Sequence, residues 1–330
     1  MKARALRFAA PRRVEIREID VSFPAVGEVL VRTGWSGISG GTELLAYRGE
    51  LDAGAARDDT IASLGGRFEY PFAYGYSCVG TVLASRADEV PEGATVFAFH
   101  PHQDVFTAPV SDVVTVDGVD GRIATLLPLV ETGLQVALDA GPVYGEPIVV
   151  LGLGPVGLLS SVLLQRAGSD VIGVDIRHDR REVAGLFGIR VVDAADVEAV
   201  VRETTSGDGV PLVVDATGHP AVLAGALDLL AHEGEVLVCS WYGTKEVSLP
   251  LGGAFHRRRL RIRSTQVSTI PAHLAGRWDI RRRRRAAAEL MTELPLKLLA
   301  SNEVPFERAA EAYAALDRGD DGLMHAVLTY

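Results

Sequence analysis

Apolar and polar residues alternate in short segments along the first third of the chain, and glycine or proline separates most of these segments. Alternation with a period of two puts every second side chain on one face, which is the pattern of a half-buried β-strand. Strands that follow each other this closely, with turn residues between them, predict a barrel-like or sandwich-like β domain. The predicted strands are 3–8, 14–18, 28–35, 78–84, 95–98, 104–108 and 113–116.

The pattern changes near residue 120. A helical pattern over 123–140 comes first, and short apolar runs then alternate with stretches of helical periodicity, which predicts a parallel sheet with helices on both faces. The predicted strands of this sheet are 147–151, 171–175, 190–192, 212–215, 235–239 and 260–264. A polar helix and a closing strand at 326–330 follow. We therefore predict an α/β protein with a β-rich domain at 1–120, a doubly wound parallel-sheet domain at 121–265 and a return to the first domain at 266–330.

Composition narrows the class of protein. The 330 residues suffice for two domains, and 48% hydrophobic with 23% charged residues is ordinary globular composition. The net charge of −10 disfavours nucleic acid as a partner. Neither a run of 18 apolar residues nor an N-terminal signal segment is found, so we expect a cytoplasmic protein without a membrane partner. The two cysteines, Cys78 and Cys239, exclude a disulfide framework and a four-cysteine zinc site.

The strongest motif is GLGPVG at 152–157, which follows an apolar strand and opens an apolar helix. Gly152 allows a tight turn, Gly154 lets the backbone approach a pyrophosphate, and Gly157 lets helix and strand pack closely. The helix that starts at Pro155 and Val156 adds unpaired backbone N–H groups in its first turn and a positive dipole end for the phosphates. The motif therefore predicts a dinucleotide site.

Asp175 ends the next strand and is placed to accept hydrogen bonds from the hydroxyls of the adenosine ribose. Its charge repels a 2′-phosphate, which favours NAD over NADP. NADP stays the alternative, because three following arginines offer partners for a phosphate. Three residues after later strands are expected beside the cofactor: Thr217, Ser240 and Trp241.

Further strings accompany the glycine motif: WSGISGGTE at 35–43, YGYSCVGTV at 74–82, FAFHPHQ at 97–103, SWYG at 240–243 and GAFHRRRLRIRSTQVS at 253–268. With them, nearly the whole chain resembles the medium-chain dehydrogenase/reductase superfamily of zinc alcohol dehydrogenases and quinone oxidoreductases. The resemblance is closest to the branch that contains bacteriochlorophyllide a dehydrogenase. It implies a GroES-like catalytic domain, a Rossmann domain, hydride transfer with a nicotinamide cofactor, and a homodimer formed through the edge strand near 260–264.

The chain departs from this family at the positions of the catalytic zinc ligands. The ligand cysteine of an SGICGTD-like string is replaced by Ser39, or by Gly40 in the other alignment, and the GHE string reads GYS at 75–77. The third ligand position falls on Pro128. We therefore expect no zinc, with a rearranged site built from Glu43, His100, His102 or Cys78 as the alternative.

Another group must then handle the proton that accompanies hydride transfer. The family alignment places five side chains near the vacant metal position: Thr42 as a hydroxyl relay, Glu43 as its orienter or a base, Tyr76 as a neutral donor, and His100 and His102 at the pocket wall. Each has a structural alternative. Tyr76, read as part of an alternating strand, fills the metal cavity; Glu43 caps the loop; and both imidazoles face solvent.

Candidate substrate residues lie further along the chain: Glu131, Tyr242, His256 and Gln266. Glu131 is read as a pocket carboxylate or as a helix N-terminal charge. Eleven arginines fall between 257 and 285, and they form either an acid-paired surface, which we favour, or a site for an anionic substrate.

Three functions fit these observations. The leading one is an NAD-dependent, zinc-independent dehydrogenase that acts on a secondary alcohol or its ketone in specialised biosynthesis. The second is an NAD(P)H-dependent enone or quinone reductase. The third, of another class, is a nucleotide-binding protein that has lost catalysis together with the metal.

Overall fold

The computed structural model describes residues 1–58, 60–300 and 302–330. Its strands are β1 Lys2–Ala10, β2 Arg13–Asp20, β3 Glu28–Ile38, β4 Cys78–Ser85, β5 Thr95–Ala98, β6 Val105–Pro109, β7 Val113–Thr115, β8 Pro147–Leu151, β9 Asp170–Val174, β10 Arg190–Val192, β11 Val210–Asp215, β12 Leu230–Val238, β13 Arg261–Ser264, β14 Asn302–Pro305 and β15 Ala326–Thr329. Its α-helices are α1 Thr42–Arg48, α2 Gly121–Ala124, α3 Leu127–Ala140, α4 Pro155–Arg166, α5 His178–Leu186, α6 Val197–Thr204, α7 Pro220–Ala226, α8 Ile280–Glu293 and α9 Ala309–Arg318.

The chain divides into two compact units. The first comprises Met1–Pro128 and Arg284–Tyr330, and the second comprises Leu129–Arg283. Compared with the predicted domains, residues 121–128 lie in the first unit and residues 266–283 in the second. The second shift has a local cause: Arg283, which is 1% exposed, is bound to Glu131 on α3.

The first unit is built on a sheet with the order β14-β15-β3-β4-β5-β7, and β6 also pairs with β3. The closing strand β15 is antiparallel to β3, so the end of the chain returns to the N-terminal part. The β1–β2 hairpin contributes the inward side chains Leu6 and Phe8, as its alternation predicts. Phe8 packs on an aromatic cluster whose members include Phe72, Tyr74 and Tyr313.

The second unit is a six-stranded sheet with the order β10-β9-β8-β11-β12-β13. All neighbouring strands in it are parallel. The order reverses between β8 and β11, which is the switch point where doubly wound sheets bind ligands. The prediction of a β-rich domain followed by a Rossmann-type sheet is confirmed.

Two local expectations change. The single helix expected over 123–140 is two helices, because Pro128 lies in the first turn of α3, where proline starts a helix readily but cannot continue one. Tyr76 lies before β4 in an irregular segment rather than in an alternating strand. Among the described residues, no helix combines the length and the apolar character needed to cross a bilayer.

Candidate active site

The glycine loop joins β8 to α4 at the switch point. Gly152 has a φ of +88°, and a Cβ there would lie 2.8 Å from the carbonyl oxygen of Ala216, in the loop after β11. A Cβ on Gly157 would lie 1.8 Å from the carbonyl oxygen of Gly152, so only glycine fits. A Cβ on Gly154, by contrast, would meet only Arg180, at 3.9 Å. Gly154 therefore borders open space beside the start of α4, where the N–H groups face outward and a pyrophosphate fits.

Asp175 ties this loop to the end of β9. Its carboxylate accepts hydrogen bonds from the backbone N–H of Leu153 and that of Arg177, each at 2.8 Å, and Arg180 lies 3.5 Å away. Arg177 is bound by Asp179, and Arg181 by Asp193 at 2.8 Å. All three arginines that made NADP the alternative therefore already face carboxylates.

The loops after β11 and β12 are organised by Asp215, a fully buried residue that the sequence patterns did not single out. Its carboxylate accepts hydrogen bonds from the N–H and the hydroxyl of Thr217, at 3.0 and 2.7 Å, and from the hydroxyl of Tyr242. Ser240 accepts the N–H of Gly218 at 2.8 Å. Burial and the bond to Asp215 raise the pKa of Tyr242. Its hydroxyl is therefore engaged by the protein, while Trp241 is 46% exposed.

In the first unit, Glu43 and His102 form a fully buried pair. Glu43 lies on α1, and one of its oxygens accepts the N–H of Ser39 at 2.8 Å. The other oxygen lies 2.9 Å from Nε2 of His102 and also accepts the hydroxyl of Tyr313, from α9. A carboxylate that accepts from three groups is satisfied in its ionised form, so Nε2 carries the proton that it donates.

The network continues on the other side of the imidazole. Nδ1 of His102 lies 2.8 Å from the hydroxyl of Ser36, which lies 2.9 Å from the hydroxyl of Tyr330. In the neutral tautomer that carries its proton on Nε2, Nδ1 accepts a hydrogen bond from Ser36, and Ser36 in turn accepts one from Tyr330. Ser36, Tyr313 and Tyr330 could not be predicted from local sequence patterns, because hydrogen-bond partners hundreds of positions apart leave no local signal.

Tyr76 lies beside this network. Burial and the nearby Glu43 carboxylate raise the pKa of Tyr76 to about 12, although hydrogen bonds with Ser39 and Thr42 act in the opposite direction. Tyr76 is therefore a neutral donor at physiological pH. Gly75, with a φ of +103°, gives His102 room, because a Cβ there would lie 2.5 Å from the imidazole.

The structural alternative in which both imidazoles face solvent is wrong. His102 is fully buried, and His100 stacks on Phe106 with ring centroids 3.9 Å apart while its Nδ1 lies 2.8 Å from the carbonyl oxygen of Pro101. Burial lowers the pKa of His100 to about 4. His100 is thus a neutral packing residue, and the thiol of Cys78 is fully buried.

The side chains at the inherited ligand positions do not fit zinc. Ser39, Tyr76 and Pro128 offer no thiolate, imidazole or carboxylate there. Across residues 1–58, 60–300 and 302–330, no three His, Cys, Asp or Glu side chains gather as a metal site. The Glu43–His102 pair is enclosed by Ser39, Tyr313 and Ser36, and its polar atoms are used within the protein.

Of the remaining candidate substrate residues, one is bound within the protein and two are exposed to solvent. The carboxylate of Glu131 is bound to Arg283 at 2.9 Å, so it anchors α8 to α3 within the second unit. His256 and Gln266 are exposed, and the amide oxygen of Gln266 accepts the N–H of Ser268. Seven of the eleven arginines bind acidic side chains or backbone carbonyls within their own unit: Arg258, Arg259, Arg261, Arg263, Arg282, Arg283 and Arg284.

Several known proteins are similar to this chain in sequence. Residues 155–279 match the family model described as zinc-binding dehydrogenase. The chain is 25% identical to L-galactonate-5-dehydrogenase of Escherichia coli (strain K12), with 69% of this chain and 66% of that protein covered. It is 27% identical to 2-desacetyl-2-hydroxyethyl bacteriochlorophyllide A dehydrogenase of Cereibacter sphaeroides, over 95% of this chain and 94% of that protein.

Solved structures show the same architecture. An alcohol dehydrogenase from Escherichia coli CFT073, crystallised with NADH, superposes with a TM-score of 0.79 at 16% identity, covering 100% of this chain and 99% of that one. The folds of the two units, the glycine loop and these matches show that the chain is an NAD(P)-dependent oxidoreductase that is similar in sequence and fold to medium-chain alcohol and polyol dehydrogenases.

Proposed function

We propose that the protein is a zinc-independent, NAD-dependent dehydrogenase that interconverts a secondary alcohol and its ketone. The observation that carries this proposal is the set of side chains at the inherited metal position, where the half-buried, neutral Tyr76 and a closed Glu43–His102 network stand in place of metal ligands. The likeness along 95% of the chain to a dehydrogenase of bacteriochlorophyllide supports a role in specialised biosynthesis.

The second unit supplies the cofactor site. Gly154 and the start of α4 hold the pyrophosphate, and Asp175 holds the adenosine ribose. When bound, NAD supplies the hydride chemistry at its nicotinamide ring. The carboxylate of Asp175 and the pairing of Arg177 and Arg181 with acids favour NAD over NADP, because a 2′-phosphate finds a negative charge and few available cations there.

Tyr76 is the proposed catalytic residue. A carbonyl oxygen that receives a hydride at its carbon develops negative charge and needs a proton, and a neutral phenol supplies a hydrogen bond and then that proton. Because the pKa of Tyr76 is raised to about 12, the side chain suits donation to a ketone rather than abstraction from an alcohol. The raised pKa of Tyr76 therefore suits the reductive direction.

Thr42 and Ser39 position the phenol, and Glu43 with His102 fixes the turn that carries them. Glu43 accepts the N–H of Ser39 on one oxygen and the imidazole of His102 on the other, so the turn between β3 and α1 is held from inside the unit. Glu43 and His102 are thus positioning residues. After burial, the negative charge of Glu43 also raises the pKa of Tyr76.

Steady-state reduction of a panel of ketones, enones and quinones with NADH, followed by absorbance of the cofactor, tests the proposal. We expect turnover of ketones by wild-type protein and a loss of about 10²- to 10³-fold in kcat for Tyr76→Phe. Tyr70→Phe is the matched control, since that phenol donates to the backbone carbonyl of Ala46. Turnover confined to enones or quinones contradicts the alcohol/ketone assignment and favours the reductase.

We also propose that the protein is a homodimer formed through β13. This strand is the last of its sheet and is mostly exposed, so one row of backbone groups is open to a second copy. Arg261 and Arg263 contact Glu235 in the same chain, which leaves pairing to the backbone. Light scattering during size-exclusion chromatography tests the proposed dimer. We expect a mass of about 70 kDa, twice the 35.1 kDa of one chain. A mass of 35.1 kDa would contradict the dimer.

A further inference from the structure

A segment of irregular backbone, residues 265–269, follows β13 in the second unit. Because β13, β12, β11 and β8 are parallel to their neighbours, this segment leaves the sheet at the same edge as the glycine loop and the loops after β11 and β12. Ligands of doubly wound sheets bind at the carboxyl ends of the strands. The segment therefore belongs to the set of loops that surround the cofactor site.

Buried side chains of the same unit hold this segment at three points. Its first residue, Thr265, is buried and donates its hydroxyl to Asp139 at 2.5 Å. The backbone carbonyls of Val267 and Thr269 accept hydrogen bonds from the guanidinium of Arg283. An irregular segment does not have the repeating hydrogen bonds of a strand or a helix, so contacts of this kind fix the path of its backbone.

The guanidinium of Arg283 uses all of its donors. Its Nε and one terminal nitrogen lie 3.0 and 2.9 Å from the same carboxylate oxygen of Glu131, and its other terminal nitrogen donates to the amide oxygen of Gln135. Together with the two backbone carbonyls, these contacts match the five N–H donors of a guanidinium. A lysine ammonium offers three donors on one nitrogen and cannot reproduce this fork. The site therefore requires arginine.

Net stability alone does not account for this buried ion pair. Arg283 and Glu131 are both almost fully buried, so both charges have lost their hydration. The attraction between two buried charges does little more than offset that loss, and apolar side chains of similar volume often give equal stability. The pair does supply direction. Glu131 and Gln135, one helical turn apart on α3, aim the guanidinium at the two carbonyls of the segment.

The strand order relates the segment to the cofactor. In the proposed function the pyrophosphate lies after β8 and the adenosine ribose lies at Asp175 after β9, so the nicotinamide half extends towards β11, β12 and β13. We propose that Arg283 is a positioning residue for the nicotinamide half of the cofactor. With Glu131 and Gln135, it holds the segment 265–269 in the shape that this half contacts. The inference rests on the proposed cofactor site and is independent of Tyr76 and of zinc.

Two ligands distinguish the halves of the cofactor site without any turnover. NADH carries the nicotinamide ring, whereas ADP-ribose has the same adenosine, pyrophosphate and second ribose without that ring. Calorimetric titration of the full chain gives a Kd for each ligand. If Arg283→Lys leaves the segment in its binding shape about one-tenth of the time, the Kd for NADH rises about tenfold. The Kd for ADP-ribose should change by less than about twofold, because the glycine loop and Asp175 are untouched.

Arg282→Lys is the matched control, because Arg282 precedes Arg283 on α8 and is exposed. Its guanidinium stacks on Trp278 and donates to the backbone carbonyl of Arg277. This variant should bind both ligands as the wild type does. A double variant, Glu131→Leu with Arg283→Met, removes both buried charges together and so leaves neither one unpaired. It should stay folded and show the same selective loss of NADH binding, which keeps the test decisive if Arg283→Lys fails to fold.

The possible results separate this inference from the proposed function. Unaltered NADH binding by the folded variants would mean that the guanidinium only joins α8 to α3, which overturns the inference. Equal weakening of NADH and ADP-ribose would indicate a general disturbance of the unit, and an equal effect of Arg282→Lys would indicate general loss of positive charge; either result also overturns it. If the wild-type chain binds neither ligand, the proposed cofactor site is refuted and the inference falls with it. Full activity of Tyr76→Phe refutes the proposed chemistry alone.

Discussion

Removing one hydroxyl from the buried network, by Tyr313→Phe, deprives the Glu43 carboxylate of one of its three donors. The phenol is fully buried, so no water is at hand to replace it. Tyr70→Phe removes a phenol that donates to the neutral backbone carbonyl of Ala46. The two variants delete the same atom and differ in the charge of the acceptor.

The difference in charge sets the expected magnitudes. A hydrogen bond to a charged group contributes about 1.5–3 kcal/mol to stability, and one between neutral groups about 0.5–1.5 kcal/mol. Tyr313→Phe should therefore lower the free energy of unfolding by about 2 kcal/mol and Tyr70→Phe by about 1 kcal/mol. At about 2 °C per kcal/mol for a chain of this size, Tyr313→Phe shifts Tm down by about 4 °C.

Urea unfolding with the two variants side by side gives the comparison, and an unchanged m value verifies that the same surface becomes exposed. An equal loss in both variants would refute the reasoning, because it means that Glu43 is not ionised in the folded state. Tyr76 would then not be held in its neutral form by the charge of Glu43.

Three further outcomes are expected. Gly154→Ala should leave Tm unchanged, since the new Cβ meets no protein atom closer than 3.9 Å. The same substitution should raise the Kd for NADH at least about tenfold in a fluorescence titration, because the Cβ keeps the pyrophosphate from the backbone. Unaltered NADH binding contradicts the cofactor site. Glu43→Gln should lower the pKa of Tyr76 from about 12 in an ultraviolet titration, because the negative charge that raises it is gone, and an unchanged pKa refutes that cause. Burial lowers the pKa of His325 from its usual value near 6.5 to about 4. Between pH 6.5 and pH 4 the unfolded chain therefore binds a proton at His325 that the folded chain does not bind. The free energy of unfolding consequently falls as the pH drops through this range. Replacing His325 by Asn should remove about 2 kcal/mol of that loss at pH 4.5 in urea titrations, and an unaltered pH dependence contradicts its neutral burial.

Local patterns predicted the elements that depend on local physics. The glycine loop and Asp175 lie where their spacing placed them, because strand, turn and helix start are adjacent in sequence and a close backbone contact requires glycine at 152 and 157. The alternation in β1 correctly placed Phe8 in the core.

Local patterns did not predict hydrogen bonds between residues that are distant in sequence. His102 meets Glu43 across 59 positions and Tyr313 meets it across 270, since α9 returns to the first unit only after the second is complete. Alternation around Pro101 gave no means to tell which histidine turns inward. The irregular backbone there aims His102 at Glu43 and His100 at Phe106.

The acidic partner of Arg283 could also not be predicted from the sequence, because it comes from another element of the fold. Arg283 lies in a run of five arginines that suggests an exposed surface, yet it is buried and binds the carboxylate of Glu131 on α3.

Ketone reduction by this protein is proposed to need no zinc, and metal analysis combined with an activity assay tests that proposal. Protein dialysed against a strong chelator is analysed for metal content and, in the same sample, for NADH-dependent ketone reduction. We expect far less than one zinc per chain with undiminished turnover. One zinc per chain, with activity that chelation removes and added zinc restores, would show that the reaction depends on the metal.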